Sequence, residues 1–411
     1  MNSLNTLLKA GKKTAYVAPR LLASQPEIAV RSSVGDPHET FYYKDLKVTH
    51  AQGSELHAKP KKDDVLKFGH NYSDHMAFAD WTETSGWSIP QVTPLRNLSI
   101  HPGAKGLHYA SQLFEGMKAY RGVDNKIRLF RPEMNMQRMR KTAKRAALPD
   151  FDGEELIKVI EEMIRIDQEW VPYSSTSSLY IRPTLIGTDP TLGVAHAREA
   201  KVFVLSGPVG QYYATGFQPI TLLADPQYVR ASPGGVGAYK MGCNYAPTIN
   251  VGKEAAAKNC QQVLWLYGDD QMLTEVGTMN IFIYWRNENN ELELATPPLS
   301  SGLILPGVVR DSLLEMAREW KEFKVVERKI TMGDVKKALK EKRLYEMFGS
   351  GTACVVSPVD KILFNNKGNE EMLEIPTMLN RPNMMQRFYE GISDIQYGRV
   401  EHPTWVREVK V

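Results

Sequence analysis

Cysteine is scarce in this chain: Cys243, Cys260 and Cys354 are all that 411 residues contain. They have neither the paired spacing of a zinc site nor the density of a disulfide-stapled secreted scaffold, so a reducing compartment is the default. No apolar run approaches the ~18 residues that a membrane-spanning helix needs. Neither sign of charge dominates, with 51 basic residues against 47 acidic ones. The basic residues form no long block, which argues against a nucleic-acid or membrane-surface partner. Internal repeats and low-complexity tracts are missing too. What is present is an ordinary soluble composition, 42% hydrophobic and 24% charged, long enough for two or three domains that enclose a small molecule.

The first 26 residues hold no acid at all. Lys9, Lys12, Lys13 and Arg20 make them basic, serine and threonine recur, and the first carboxylate is Glu27. Leu4, Leu7 and Leu8 give one face of a short amphipathic helix that Gly11 and Pro19 limit. This pattern predicts a cleaved mitochondrial (matrix) targeting peptide; an ordinary loose terminus on a cytoplasmic protein is the alternative. Residues 1–40 are therefore set apart as a leader.

After the leader, strands and helices alternate, which predicts an α/β or α+β protein of two α/β domains. A smaller one spans 41–206 and a larger one 218–411, with the glycine-rich stretch G-P-V-G-Q-Y-Y-A-T-G-F at 207–217 connecting them. In the first, I-R-L-F reads as a strand followed by a helix that Pro132 opens. A helix runs from about Glu154 to Trp170 with Leu156, Ile160, Met163 and Ile164 on one face. S-S-L-Y-I-R-P-T-L is a strand that points Tyr180 and Arg182 to the same side. In the second, strands are expected near 220–224, 262–267, 280–285 and 291–295, and helices near 247–257, 308–320 and 332–340.

Chemistry concentrates in A-S-P-G-G-V-G-A-Y-K-M-G-C-N-Y. Three glycines, Gly234, Gly235 and Gly237, let the backbone turn tightly beside Lys240, and Tyr245 follows five residues later. Most lysines are solvated surface charges. This one has a tyrosine nearby and Glu275 downstream, at the start of an apolar run from Met279 to Trp285. Lysine, tyrosine and carboxylate together suit an aldehyde cofactor held as a Schiff base, with pyridoxal 5'-phosphate the obvious candidate. Lys240 would bond the aldehyde and ferry a proton, Glu275 would keep the pyridine nitrogen protonated, and Tyr245 would donate to the phenolic oxygen. For the phosphate, L-P-G-V-V-R-D-S-L-L puts a glycine ahead of a helix whose first amides are free, and F-G-S-G-T-A-C makes a second amide-rich turn. Arg138 either supplies the cation there or belongs to the solvated basic face of Arg140, Lys141, Lys144 and Arg145. The G-x-G pieces at Gly235 and Gly349 lack the third glycine and the ribose-binding acid of a dinucleotide fold, which disfavours a nicotinamide-dependent dehydrogenase.

L-F-E-G-M-K-A-Y-R-G (113–122), S-L-Y-I-R-P-T (178–184), G-A-Y-K-M-G-C-N-Y, T-E-V-G-T-M-N, I-L-P-G-V-V-R and F-G-S-G-T-A-C resemble, in order, branched-chain amino acid aminotransferases. These are fold-type IV pyridoxal-phosphate enzymes, and the mitochondrial animal type is most similar. The resemblance runs from about Trp81 to Tyr397. It implies a homodimer that moves the amino group of L-leucine, L-isoleucine or L-valine to 2-oxoglutarate by a ping-pong route through the pyridoxamine form. Lys240, Glu275 and Tyr245 match the cofactor set described above, and Arg138, Val308, Val309 and Thr352 match phosphate contacts. Tyr180 and the Thr352 and Ala353 amides match the substrate-carboxylate set, and Arg182 matches the residue for glutamate's side-chain carboxylate. Phe68, Phe114, Tyr109, Leu192, Val194 and Thr278 match the apolar pocket, Tyr109, Leu192 and Val194 being drawn from the partner subunit. The family alternatives are a D-amino acid transaminase or an aminodeoxychorismate lyase, which the apolar pocket and Arg182 disfavour. One departure stands out: where the mitochondrial animal enzymes have C-x-x-C after the G-T-A turn, this chain has Cys354 and Ser357, so no disulfide can form there.

Overall fold

Two sheets built around different hydrophobic patterns carry the chain, and the segments between them make the site. The computed structural model describes residues 39–61, 64–210 and 218–411. The leader up to residue 38, and residues 211–217 of the expected connection, lie outside the described residues.

The first sheet has ten strands among the described residues. Its spine runs Lys47–Val48, Gln91–Pro94, His75–Thr82, Glu199–Val209, Ser178–Gly187, Met117–Arg121, Ile127–Phe130 and Val406–Val409. The last of these is the C-terminal strand, returning to pair antiparallel with Ile127–Phe130. Residues 207–209, expected in a connection, continue the strand and pair with 178–180. Two helices, Pro132–Arg145 and Gly153–Ile166, cover this sheet. Pro132 opens the first, as its fixed φ allows. Asp152 caps the second by accepting from the Glu154 N–H, a bond worth about 0.5–2 kcal/mol. The second helix stops short of the expected Trp170. The Asp167 carboxylate is taken by His75, accepting its backbone N–H at 3.0 Å and lying 2.6 Å from its Nδ1, and only a short 3-10 turn, Gln168–Trp170, follows.

The second sheet has nine strands among the described residues. Six of them close on themselves: Met272–Val276, Gln262–Tyr267, Ile220–Ala224, Val355–Asn366, Leu344–Gly351 and Met279–Arg286, with the first and last also paired to each other. Closure removes exposed edges and fixes register, since inward and outward residues alternate along each strand. The strand Met272–Val276, not anticipated from the sequence, is the one that closes the ring and carries Glu275, opposite Asn280 and Trp265. The helices Val308–Trp320 and Met332–Lys340 fall where their periodicity put them.

Each sheet has its own apolar cluster. A third cluster joins them, bringing Tyr120 and Phe130 of the first sheet together with Phe282, Phe348 and the helix residues Leu313 and Phe388. Phe282 and Phe348 stack with centroids 5.5 Å apart. Because interiors pack like crystals, this shared core holds the two sheets at a fixed spacing. The cavity between them is therefore preformed.

Candidate active site

A cavity of about 220 Å³ opens between the sheets. From the first sheet and its helix it takes Phe114, Gly116, Arg138, Tyr180 and Arg182; from the second, Thr278 to Asn280 and Ser350 to Cys354. Lys240, Tyr245, Leu305, Gly307, Val308, Val309 and Phe68 complete the wall.

Lys240 reaches the cavity because the glycine-rich segment before it can pack against the second sheet's loops. A side chain at Gly237 would place its Cβ 2.5 Å from the Ala231 Cβ and 2.6 Å from the Leu303 carbonyl oxygen, so only glycine permits that approach. The Lys240 backbone is pinned on both sides. Its N–H donates to Thr142 Oγ1 at 3.2 Å, and its carbonyl accepts from the Phe114 N–H at 3.2 Å. Its Nζ donates to Tyr245 Oη at 3.1 Å and lies 4.8 Å from the centre of the Phe114 ring.

Glu275 lies behind the wall, 2% exposed. One carboxylate oxygen accepts from the Leu305 N–H at 2.7 Å and from Asn280 Nδ2 at 3.5 Å, both of them residues of the wall. The other pairs with Arg230 Nε at 3.0 Å, and neither side chain is more than 3% exposed. Burial pushes this carboxyl above the usual range, and Arg230 works against that by favouring the anion. Arg230 was not singled out in the sequence, because nothing local marks it; its partner lies on a strand closed by long-range pairing.

Arg138 is not on a solvated face. It is 8% exposed and grips Glu115, which is 0% exposed, through two bonds of 2.7 Å, while its Nη1 donates to the Pro306 carbonyl at 2.8 Å. Burial pushes Glu115 up, but Arg138, together with Lys240 and Asn135, outweighs it and the carboxyl sits below its ordinary value. A charge inside the apolar run L-F-E-G-M was the available signal for Glu115. Beside Arg138, the helix Val308–Trp320 begins at Gly307 with no side-chain cap. A Cβ on Gly307 would fall 2.1 Å from Asn280 Oδ1, so no bulkier residue fits there. Free first-turn amides next to a buried guanidinium make an anion site.

The other end of the cavity is also built for an anion. Arg182 Nη2 donates to Tyr180 Oη at 2.9 Å, as their shared face requires, and the guanidinium lies over the Phe114 ring at 4.7 Å. Arg182 Nε is buried and has no hydrogen-bond partner among the described residues. Phe68 sets its ring edge against Tyr180 with centroids 4.7 Å apart. A Cβ at Gly116 would meet Tyr180 Oη at 2.2 Å, so this glycine makes room for the hydroxyl. The Gly351–Cys354 turn is held from behind by Lys118, whose Nζ donates to the Ala353 carbonyl at 2.8 Å. Lys118 is buried and forms no ion pair among the described residues; burial brings its ammonium down to about 8. Burial also pushes the Cys354 thiol up to about 12, so it stays neutral. Val355, which follows the turn, has φ 62°, a strained value for a β-branched residue.

Twelve of the residues expected in the site thus line this cavity, and Glu275 bonds to its wall. Tyr109, Leu192 and Val194 do not line it; they are 41%, 66% and 85% exposed on the surface of their own chain.

A family model described as amino-transferase class IV matches residues 112–362. A Caenorhabditis elegans protein named branched-chain-amino-acid aminotransferase, cytosolic, is 63% identical over 400 residues, covering 96% of this chain and 96% of its own length. A rat protein named branched-chain-amino-acid aminotransferase, mitochondrial, is 52% identical over 354 residues, 86% of this chain and 89% of its own. Among solved structures, the branched-chain amino acid aminotransferase of Escherichia coli superposes with a TM-score of 0.64 at 23% identity, covering 82% of this chain and 99% of that one. The Thermobaculum terrenum enzyme, solved in its PLP holo-form, gives 0.65 at 17% identity, over 83% of this chain and 99% of that one. At such identities the structural likeness speaks for the fold.

Proposed function

The chain belongs to the class IV aminotransferases, and from that premise we propose that it transfers the amino group of L-leucine, L-isoleucine or L-valine to 2-oxoglutarate, using pyridoxal 5'-phosphate bound at Lys240. The observation that carries this reading is one cavity that brings the Lys240 amine beside a tyrosine hydroxyl and sets an anion site at each end. The residues fit the cofactor. Arg138 and the uncapped amides at Val308 and Val309 suit its phosphate, the Lys240 Nζ its aldehyde, Tyr245 its phenolic oxygen and Glu275 its ring nitrogen. When bound, the cofactor supplies an aldehyde that takes up the amino group and a ring that accepts electrons from the carbon–hydrogen bond being broken.

The chain's own residues do the rest. Tyr180 and the amides of Thr352 and Ala353 hold the substrate carboxylate, so that the α-proton faces Lys240 Nζ, which removes and returns it. Glu275, whose anion Arg230 favours against the upward push of burial, holds a proton at the ring nitrogen. Phe68, Phe114 and Thr278 exclude water from the side-chain pocket. Arg182 at its rim offers a guanidinium whose Nε is unspent, a partner for the side-chain carboxylate of glutamate. One pocket thereby serves an aliphatic and an acidic substrate in turn.

The same reading assigns Tyr109, Leu192 and Val194 to the pocket of a second copy, since they stand exposed on their own; this supports a homodimer. The smaller and larger α/β domains expected from the sequence correspond, on this reading, to the two sheets, with the C-terminal strand returning to the first. Relatives carry both cytosolic and mitochondrial names, so the acid-free first 26 residues are what favours the mitochondrial matrix.

A coupled assay of glutamate formation across leucine, valine, aspartate and D-alanine tests the reading: turnover is expected with leucine and valine, and a preference for aspartate or D-alanine contradicts it. Arg182→Met should spare leucine and lose about 2–5 kcal/mol of glutamate recognition, at least roughly 30-fold in kcat/KM. Equal losses for both substrates would refute the division of labour. Lys118 gives a pH dependence. It is cationic below about 8 and neutral above, and its charge behind the Ala353 turn favours a bound carboxylate. The KM for leucine should therefore rise several-fold as pH passes through that value, and Lys118→Met should show a high KM without that step.

A further inference from the structure

Residues 188–198 connect the strands Ser178–Gly187 and Glu199–Val209 without regular structure, yet the first part of this loop is tied down at four successive points. The tie is Lys105, in the short helix Lys105–Tyr109. It is 3% exposed. Its Nζ lies 3.1 Å from Asp189 Oδ2, donates to the Gly193 carbonyl at 3.0 Å and donates also to Thr191 Oγ1. The ammonium thus makes two hydrogen bonds and one ion pair, all to the same loop. Thr191 Oγ1 in turn donates to Asp189 Oδ2 at 2.8 Å, and the Tyr109 hydroxyl donates to the Leu192 carbonyl.

The backbone of 189–193 is thus fixed from below by a buried charge, while the side chains of Leu192 and Val194 stand 66% and 85% exposed above it. A buried ion pair is weak evidence for stability, because desolvation costs about as much as attraction returns. What this pair specifies is shape. Apolar side chains held out on a fixed backbone are preorganised to contact something else without losing loop entropy at that moment.

We infer that Lys105 is the positioning residue that sets Leu192 and Val194 for use as part of the aliphatic wall in the other subunit's active site. This rests on the reading that these residues are donated to a second copy of the chain. Neither Lys105 nor Asp189 lines the cavity of its own chain, so on this assignment the effect of changing them is felt in the neighbour's site.

The test uses mixed holoenzyme dimers, co-expressed with two different tags and purified on both. In a dimer of Lys105→Met with Lys240→Ala chains, the single working site belongs to the Lys105→Met chain and receives the intact loop of its neighbour. Its KM for leucine should equal that of the wild type. In a dimer of wild-type with doubly substituted Lys105→Met/Lys240→Ala chains, the working site receives the altered loop. Its KM for leucine should rise roughly tenfold, the scale of one lost methylene contact, with glutamate affected less. Lys105→Arg, which keeps a multi-donor cation, should restore the wild-type value. A raised KM in the first dimer and not the second, or no change in either, overturns the assignment. If Lys105→Met chains do not fold, Asp189→Asn in the same pairings decides in the same way. A wild-type enzyme that turns over leucine while sedimenting as a monomer would instead sink the two-copy reading itself, and the inference with it.

Discussion

Lys240→Ala is expected to lower kcat for leucine by at least about 10⁴-fold, since the variant loses both the covalent attachment point and a proton carrier worth ~10²–10⁴ by itself. The melting temperature should barely move. The Lys240 side chain is half-buried and its ammonium makes one hydrogen bond among the described residues, to Tyr245, while the backbone bonds to Thr142 and Phe114 that hold the segment survive the substitution. Turnover assays and a thermal melt on the same preparation check both halves. A folded variant with near wild-type turnover would mean that another amine performs the chemistry. Lys118 is the candidate to examine then, because it is buried and partly neutral at pH 8, but its ammonium faces the Ala353 carbonyl and does not line the cavity.

Glu275→Gln should cost about 10²–10³ in kcat, the scale of removing one preorganised electrostatic partner from a water-excluded site. Glutamine keeps an acceptor for the Leu305 N–H but brings no charge to hold a proton at the ring nitrogen. It also leaves the buried Arg230 cation without its carboxylate, with the Gly237 and Leu303 carbonyls as its remaining partners among the described residues. Breaking a buried pair from one side typically costs about 3–5 kcal/mol of stability, so denaturant midpoints should fall along with activity. Substituting Arg230→Met in the same chain separates the two effects. The stranded cation disappears and part of the stability returns, while turnover stays low. If the double variant regained activity, the role of Glu275 would be structural, and the ring nitrogen would need another partner. Because burial pushes the Glu275 carboxyl upward and Arg230 opposes it, Arg230→Met alone should make Glu275 take up a proton at a higher pH than in the wild type. Activity should then fall on the acid side of the profile and recover as pH rises and the carboxylate ionises.

Local pattern was enough for what local physics decides. The helices Val308–Trp320 and Met332–Lys340 are legible from local sequence, and alternation along Ser178–Gly187 suffices to put Tyr180 and Arg182 on one face, where they touch at 2.9 Å. Ordered motifs also hold most of the residues that line the cavity; Phe68, which lines it too, lies outside those motifs and is named from the resemblance alone. What stayed hidden depends on closure. The strand Met272–Val276 is short and exists because it pairs on both sides to complete a ring. The partners of the site's charges are equally non-local: Glu115 lies 23 positions from Arg138, and Arg230 lies 45 from Glu275. Tyr109, Leu192 and Val194 could be named from resemblance, but a single chain holds them on its surface. Glycine was ambiguous in the sequence for a different reason. Gly116, Gly237 and Gly307 are required by neighbours that approach from elsewhere in the fold, and no spacing rule announces such an approach.

The proposed chemistry rests on one bond, between Lys240 Nζ and the cofactor aldehyde. Reducing the purified holoenzyme with borohydride, digesting it and sequencing the peptides by mass spectrometry reads that bond directly. A phosphopyridoxyl mass on Lys240, and on no other lysine, is the predicted result; an unmodified Lys240, or the label on a different residue, would contradict it.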